Sequence, residues 1–249
     1  MTLRAAWRAV TLALALAICV VRYWAIRMRG PLSLEQRAFW LHDASKRVLA
    51  SLAIRAEVKG TPPSQGLVVS NHLSYLDIAI FSAAMPCFFV AKAEIDRWPY
   101  FGEAARAGGT LFIDRASMAS AEKVAAQIAA RLPAHIPILV FPEGTSTDGS
   151  TVQRFHSRLF EPAVEAAAPI TAAAIGYLVD RGAERDLCWF GDETFVGHLW
   201  KTLGARGLTA GVRFGATRTY PDRRVAAREA QAEVVAMRNA MHNTQPVLQ

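Results

Sequence analysis

From residue 67 onward the chain alternates short apolar runs with segments of helical periodicity, and no other feature narrows its fold so far. The runs 67–70, 88–91, 110–113, 138–141, 170–175 and 209–214 are four to six residues long and almost free of charge. Between them, 120–132, 157–167 and 222–241 read as helices, the last with Asp222 as its N-cap. Continuous apolar strands separated by crossover helices predict an α/β sheet, with functional groups where strands end. The loop-forming stretch Thr61-Pro62-Pro63-Ser64-Gln65-Gly66 divides the chain into an N-terminal segment, 1–59, and an α/β unit, 60–249.

Charge separates the same two parts. Residues 1–59 hold ten Lys or Arg against three acids, while 60–249 hold eighteen of each. The basic segment encloses an uncharged run, 9–21, between Arg8 and Arg22, with Trp7, Tyr23 and Trp24 at its ends. Thirteen helical residues reach only about 20 Å, so a thin span with snorkelling arginines and a shallow monotopic insertion are both open. No small-x-small cleavage site precedes Arg22, Arg27 and Arg29, which favours a retained anchor over a signal peptide. Ser33 and Gln36 form a capping box for a second helix through Leu52, which either packs on the core or completes a two-helix foot. An anionic membrane surface is the expected partner and nucleic acid is not, because a basic nucleic-acid arm does not enclose such an apolar, aromatic run. Cys19, Cys87 and Cys188 are odd in number and widely spaced, which predicts reduced thiols in a membrane-associated protein on the cytoplasmic face and no zinc cluster.

Three strand ends carry chemistry. After 67–70 comes Asn71-His72-Leu73-Ser74-Tyr75-Leu76-Asp77. A carboxylate five residues after a histidine can fix its tautomer and stabilise its imidazolium, leaving the ring to accept a proton. The spacing taken alone favours a hydrogen-bonded structural histidine. After 110–113 come Asp114 and Arg115, where the guanidinium suits phosphate or carboxylate, or pairs with its neighbour. After 138–141 come Pro142, Glu143, Gly144, Thr145 and Ser146, a loop whose glycine allows close approach and whose hydroxyls can hold a polyol or phosphate.

In this order, Asn-His-x4-Asp, Gly109-Thr110-Leu111-Phe112-Ile113-Asp114-Arg115 and Phe141-Pro142-Glu143-Gly144-Thr145 resemble the ordered blocks of the glycerolipid acyltransferase family, typified by lysophosphatidic acid acyltransferase. The resemblance spans roughly residues 65–215 and includes the 91–102 segment between the first two blocks. It implies a mixed sheet flanked by helices, and acyl transfer from acyl-coenzyme A or acyl carrier protein to a lysolipid hydroxyl, with neither metal nor bound cofactor. It further implies His72 as general base oriented by Asp77, with Arg115, Glu143 and Gly144, and Lys92 as a further candidate, at the acceptor's phosphate.

The departures bear on the acceptor. Ser146 stands where phosphatidic-acid-forming enzymes carry an Arg, Phe155-His156-Ser157-Arg158 replaces a Phe-Lys-x-Gly stretch, and Ala172 replaces a proline. The Glu-Gly-Thr-Ser-x-Asp-Gly form, with Trp189-Phe190-Gly191-Asp192 and His198-Leu199-Trp200, looks like the branch that includes lyso-ornithine lipid acyltransferases. The first expectation is therefore 1-acyl-glycerol-3-phosphate as acceptor, with lyso-ornithine lipid second. A reading from another class is a lipid-binding membrane scaffold without turnover, against which an intact His72 and Asp77 weigh. Trp189 and Trp200 read as core or interface aromatics, Cys188 as a buried inert thiol, and the other histidines carry no partner pattern.

Overall fold

The computed structural model describes residues 2–98, 101–114 and 117–243. Its sheet has seven strands: β1 (Arg55–Lys59), β2 (Leu67–Ser70), β3 (Phe88–Lys92), β4 (Leu111–Ile113), β5 (Ile138–Val140), β6 (Ile170–Leu178) and β7 (Thr209–Arg218), in the order β1-β7-β6-β2-β5-β3-β4. β6, β2, β5, β3 and β4 run parallel, β7 runs antiparallel to β6, and β1 is parallel to β7. The sheet is therefore mixed, and the carboxyl ends of its five parallel strands share one edge.

The helices are α1 (Leu3–Arg27), α2 (Leu34–Ser51), α3 (Leu76–Ala84), α4 (Phe101–Ala107), α5 (Met118–Arg131), α6 (Glu161–Glu165), α7 (Phe195–Gly204) and α8 (Arg223–His242). Alternate side chains of each central strand enter different cores. Val68, Leu139, Ala173 and Ile175 meet one layer, with Leu49, Ile80, Phe81 and Leu203. Leu67, Val69, Ile138, Val140, Ala172 and Ala174 meet the other, with Val124, Ile128, Phe160 and Val234. Burial on both faces explains why these strands are apolar without alternation.

All six expected strands are present, and β1 is added at the sheet edge. Every residue of β1 is exposed and three of its five are charged, so it lacks an apolar signature and is held by its ladder to β7. It lies inside the stretch that the charge pattern assigned to the N-terminal segment. The single helix expected over 157–167 is a 3-10 turn, Ser157–Phe160, followed by α6, because Pro162 has no N–H to continue the ladder.

α1 is twice as long as its uncharged run, and Arg8 and Arg22 do not end it. Twenty-five residues give roughly 37 Å, and mean hydropathy over 18 of them is 2.1, enough by length and composition to cross a membrane. In the structure the helix lies along the domain. Arg8 donates from Nη1 to the carbonyls of Leu203 and Ala205, at 3.2 and 2.6 Å, where α7 ends. Thr11 donates to the Ser51 carbonyl at 3.0 Å, and Cys19, Tyr23 and Ile26 pack with Trp40, Ala44 and Ala107. The opposite face leaves Leu3, Trp7, Val10, Leu14, Val21, Trp24 and Met28 exposed, Trp7 by 69%. The capping box of α2 is complete in both directions, and the helix packs on the core through Leu49, with Leu52 just past its end, while it also packs against α1.

Candidate active site

The site begins where β2 stops. Beyond Ser70, the side chain of Asn71 takes the next rung of the ladder to β6: its Nδ2 donates to the Ile175 carbonyl at 3.0 Å, and its Oδ1 accepts from the Ile175 N–H at 2.9 Å. A side-chain amide can reproduce a backbone pair in this way, so the chain turns out of the sheet without orphaning the Ile175 groups.

His72 follows at once, its ring 20% exposed, with Nδ1 2.8 Å from Asp77 Oδ2. Asp77 opens α3 and is fully buried. The same Oδ2 accepts from the Leu73 and Ser74 N–H groups at 2.7 and 3.1 Å, and Oδ1 accepts from the Tyr177 hydroxyl. Four donors converge on one carboxylate and fix its orientation. Burial, followed by the Asp77 charge, pushes the Tyr177 hydroxyl well above its ordinary range, so it remains a donor. The His72 ring stacks on Phe141, with centroids 4.0 Å apart and planes at 14°. Among the described residues nothing hydrogen-bonds Nε2.

The loop after β5 clamps this histidine from the other side. Gly144 turns it, donating to the Phe141 carbonyl at 3.1 Å with φ +82, a conformation open to glycine. Glu143, expected at the acceptor, is only 5% exposed and spends both oxygens on backbone: Oε1 accepts from the His72 N–H at 2.9 Å and Oε2 from the Gln153 N–H at 3.1 Å. That geometry makes it a brace for the histidine's backbone, with one N–H on each oxygen. Burial raises its carboxyl to about 7, against the lowering effect of its two N–H donors. The His72 carbonyl in turn accepts from the Thr147 N–H at 3.0 Å.

The remaining expected residues are less tightly joined. Thr145 is exposed and its hydroxyl is 3.4 Å from the Ser146 carbonyl. The Ser146 hydroxyl donates to the Trp189 carbonyl, and the Trp189 N–H donates to the Leu73 carbonyl at 2.8 Å, tying the Ser146 and Trp189 departures to each other and to the histidine loop. Lys92 is exposed at the carboxyl end of β3, on the same sheet edge but outside the His72 network. Arg115 lies outside the described residues, as do Pro99 and Tyr100 of the 91–102 segment.

Several supporting residues carried no sequence signal. Tyr177 is one hundred residues from Asp77. Arg238 of α8 is buried with Glu184, donating from Nη1 and Nη2 at 2.8 Å each, and also reaches the carbonyls of Ile175 and Gly149 at 2.9 Å. It thereby ties α8 to the strand under Asp77 and to the end of the 144–149 loop. Burial alone would raise the Glu184 carboxyl, but the Arg238 guanidinium holds it below its ordinary value. His198 is a core histidine: Nε2 faces the Leu187 carbonyl at 3.0 Å and must donate, so Nδ1 accepts from the Tyr75 hydroxyl at 3.0 Å. Tyr75, Trp98, Phe101, Trp189 and Phe195 form one aromatic cluster beside the histidine loop, with neighbouring centroids 4.8–6.5 Å apart. All three cysteines are free and buried. Burial pushes the Cys87 and Cys188 thiols far up, so neither supplies a thiolate nucleophile.

Comparison with known proteins agrees with the motif order. A sequence model described as Acyltransferase matches residues 55–176. A lyso-ornithine lipid O-acyltransferase of Pseudomonas aeruginosa is 34% identical over 209 residues, covering 82% of this chain and 78% of that protein. A 1-acyl-sn-glycerol-3-phosphate acyltransferase of Neisseria meningitidis is 33% identical over 184 residues, covering 72% of each. The crystal structure of the 1-acyl-sn-glycerophosphate (LPA) acyltransferase PlsC from Thermotoga maritima superposes with a TM-score of 0.71 at 16% identity, over 98% of this chain and 97% of that one, and so shares its fold. The order of the strand-end motifs, the mixed sheet that aligns them and these relatives lead to one conclusion: the chain belongs to the acyltransferase family.

Proposed function

We propose that the protein transfers a fatty acyl group from the thioester of acyl-coenzyme A or acyl carrier protein to the free hydroxyl of a membrane lysolipid, with His72 as general base. The observation that carries this reading is the imidazole whose Nδ1 is held by a buried, four-donor carboxylate while Nε2 has no hydrogen-bond partner among the described residues. With a carboxylate at Nδ1, the ring proton sits there and the Nε2 lone pair is available. Nε2 takes the hydroxyl proton as the lysolipid oxygen bonds to the thioester carbonyl carbon. The carbon–sulfur bond then breaks, and the imidazolium returns the proton to the departing thiolate, so an ester and a free thiol result. Asp77 stabilises the transient imidazolium. No covalent enzyme intermediate enters, and no step calls for a metal or bound organic cofactor.

Membrane association follows from the outer face of α1. Its apolar residues recur at positions 3, 7, 10, 14, 21, 24 and 28 and face away from the domain, while the opposite side is fastened to α2 and α7. A helix held along the domain in this way suits insertion in the plane of the interface, on the cytoplasmic leaflet, better than crossing. In functional terms residues 1–59 anchor and 60–249 catalyse, with β1 completing the catalytic sheet.

For the acceptor, one contact favours lyso-ornithine lipid over 1-acyl-glycerol-3-phosphate. At the position where a phosphate-binding Arg was expected, the Ser146 hydroxyl is turned onto the Trp189 backbone. That one guanidinium is thus absent from the headgroup site, and the hydroxyl in its place is committed to the neighbouring loop. Thiol release from acyl-coenzyme A, measured with each lysolipid for wild type, His72→Ala and Ser146→Arg, tests both levels. The expected result is His72-dependent release, faster with lyso-ornithine lipid and shifted toward the phosphate acceptor by Ser146→Arg. Equal release by His72→Ala would remove the mechanism, and a wild-type preference for the phosphate acceptor would reverse the assignment of the headgroup. If neither acceptor supports release with either donor, the non-catalytic scaffold reading takes its place.

A further inference from the structure

We infer that the cleft between α1 and α2 binds the phosphate of an anionic phospholipid, at a site apart from the acceptor's. The inference rests on the membrane-facing reading of α1 and deepens it. The cleft encloses about 320 Å3, and Arg22, Arg29 and Arg47 line it with Asp43 as their counter-charge. Arg22 stands 3.6 Å from Asp43, both side chains half exposed. Among the described residues, Arg29 and Arg47 have no carboxylate within ion-pair distance, so two guanidiniums remain uncompensated around one cavity. Guanidinium groups present paired donors that match phosphate oxygens, and basic pockets between membrane-associated helices take up lipid headgroups.

The floor and the depth of the cleft point to a lipid as the source of that phosphate. Ile26 and Trp40 supply an apolar wall, and Trp40 is fixed by its Nε1 donating to the Cys19 carbonyl at 3.2 Å. Arg22 and Ile26 leave α1 on a flank turned away from the stripe formed by Trp7, Leu14 and Val21, and Arg29 follows in the turn after the helix. If that stripe lies roughly 5–10 Å into the headgroup and acyl boundary, a helix of about 10 Å diameter brings the flank to the level of the phosphates. A soluble phosphate would use the three arginines but neither the apolar wall nor this depth.

The experiment is flotation of the full-length protein with vesicles of phosphatidylcholine alone and with added phosphatidylglycerol. Wild type is compared with a cleft variant, Arg22→Gln with Arg29→Gln and Arg47→Gln, and with a control variant of equal charge, Arg4→Gln with Arg27→Gln and Lys46→Gln. Thermal melting confirms that each is folded. The proposal expects wild type to partition more strongly onto the anionic vesicles, and the cleft variant to lose at least about tenfold more of that gain than the control while keeping its partition onto phosphatidylcholine. Equal losses in the two variants would reduce the effect to general surface charge and overturn the site, as would no loss in either. Line broadening of inorganic phosphate in 31P spectra by wild type and not by the cleft variant, without any gain on anionic vesicles, would overturn the lipid assignment in favour of soluble phosphate. Absence of wild-type binding to either vesicle would sink the membrane reading itself, a result distinct from the first two because it spares no variant.

Discussion

At the carboxyl edge of the sheet, polar groups close on one another: Asp77 takes four donors, Glu143 takes two, and Asn71 completes a strand pair that would otherwise break. Along α1 the reverse holds, because Trp7, Val10, Leu14, Val21 and Trp24 face outward with nothing of the protein over them. One region fixes the orientation of an imidazole to within a hydrogen bond's tolerance. The other leaves an apolar stripe open, the kind of surface that marks an interaction site. On the proposed reading the chain positions its chemistry by internal satisfaction and reaches its substrate through an uncovered face, and the two should separate on mutation.

The sharpest separation is expected from His72→Ala. Loss of a general base commonly costs about 10² to 10⁴ in rate, so thiol release should fall by that factor while vesicle flotation stays as in wild type. A joint loss of both would break the comparison. Next in size is the converse change, Trp7, Leu14, Val21 and Trp24 all to Ser. Losing four exposed apolar groups should weaken partition onto phosphatidylcholine vesicles by at least about tenfold, with turnover of a detergent-dispersed lysolipid retained. Retained flotation would show that α1 is not the membrane contact.

A smaller effect is expected at Tyr177, which acts through Asp77 and is a positioning residue. Tyr177→Phe leaves Oδ1 of a buried carboxylate without its donor, at a cost of about 1–3 kcal/mol. kcat should fall by roughly tenfold with KM little changed, and the ascending limb of the pH–rate profile should move; an unshifted profile with normal kcat would free Asp77 from this dependence. The smallest effect concerns Glu143, whose carboxyl lies near 7 in the folded protein against 4.5 ordinarily. A raised acid binds more protons folded than unfolded between those values, so its contribution to stability falls as pH rises from about 4.5 to 7. Urea unfolding across that range should show this decline in wild type and its absence in Glu143→Gln, and an identical slope in both would mean that Glu143 is not the group responsible.

What could be read in advance followed the range of the interactions involved. The six apolar strands, the Ser33–Gln36 capping box and the histidine with its following Asp77 depend on neighbours within a few residues, and each is found where it was expected. β1 escaped notice because its exposed, charged residues are organised only by β7, some 150 positions away. α7 is short, and its His198 shows a role only once Tyr75 and Leu187 are brought against it. Glu143 was visible as a polar residue in a loop, yet its use as a brace depends on where the His72 and Gln153 backbones pass.

The sequence by itself determined the α/β class, the boundary of the basic segment and the three strand-end motifs, because periodicity, charge and short spacings are local properties of the chain. Tertiary structure alone decided that Tyr177 and Arg238 support the site, that Ser146 meets Trp189, and that Arg8 of α1 is fastened to the end of α7 while the helix's apolar stripe faces out. Those outcomes depend on contacts between residues tens to nearly two hundred positions apart, and such contacts exist only after the sheet order and helix packing have brought their elements together.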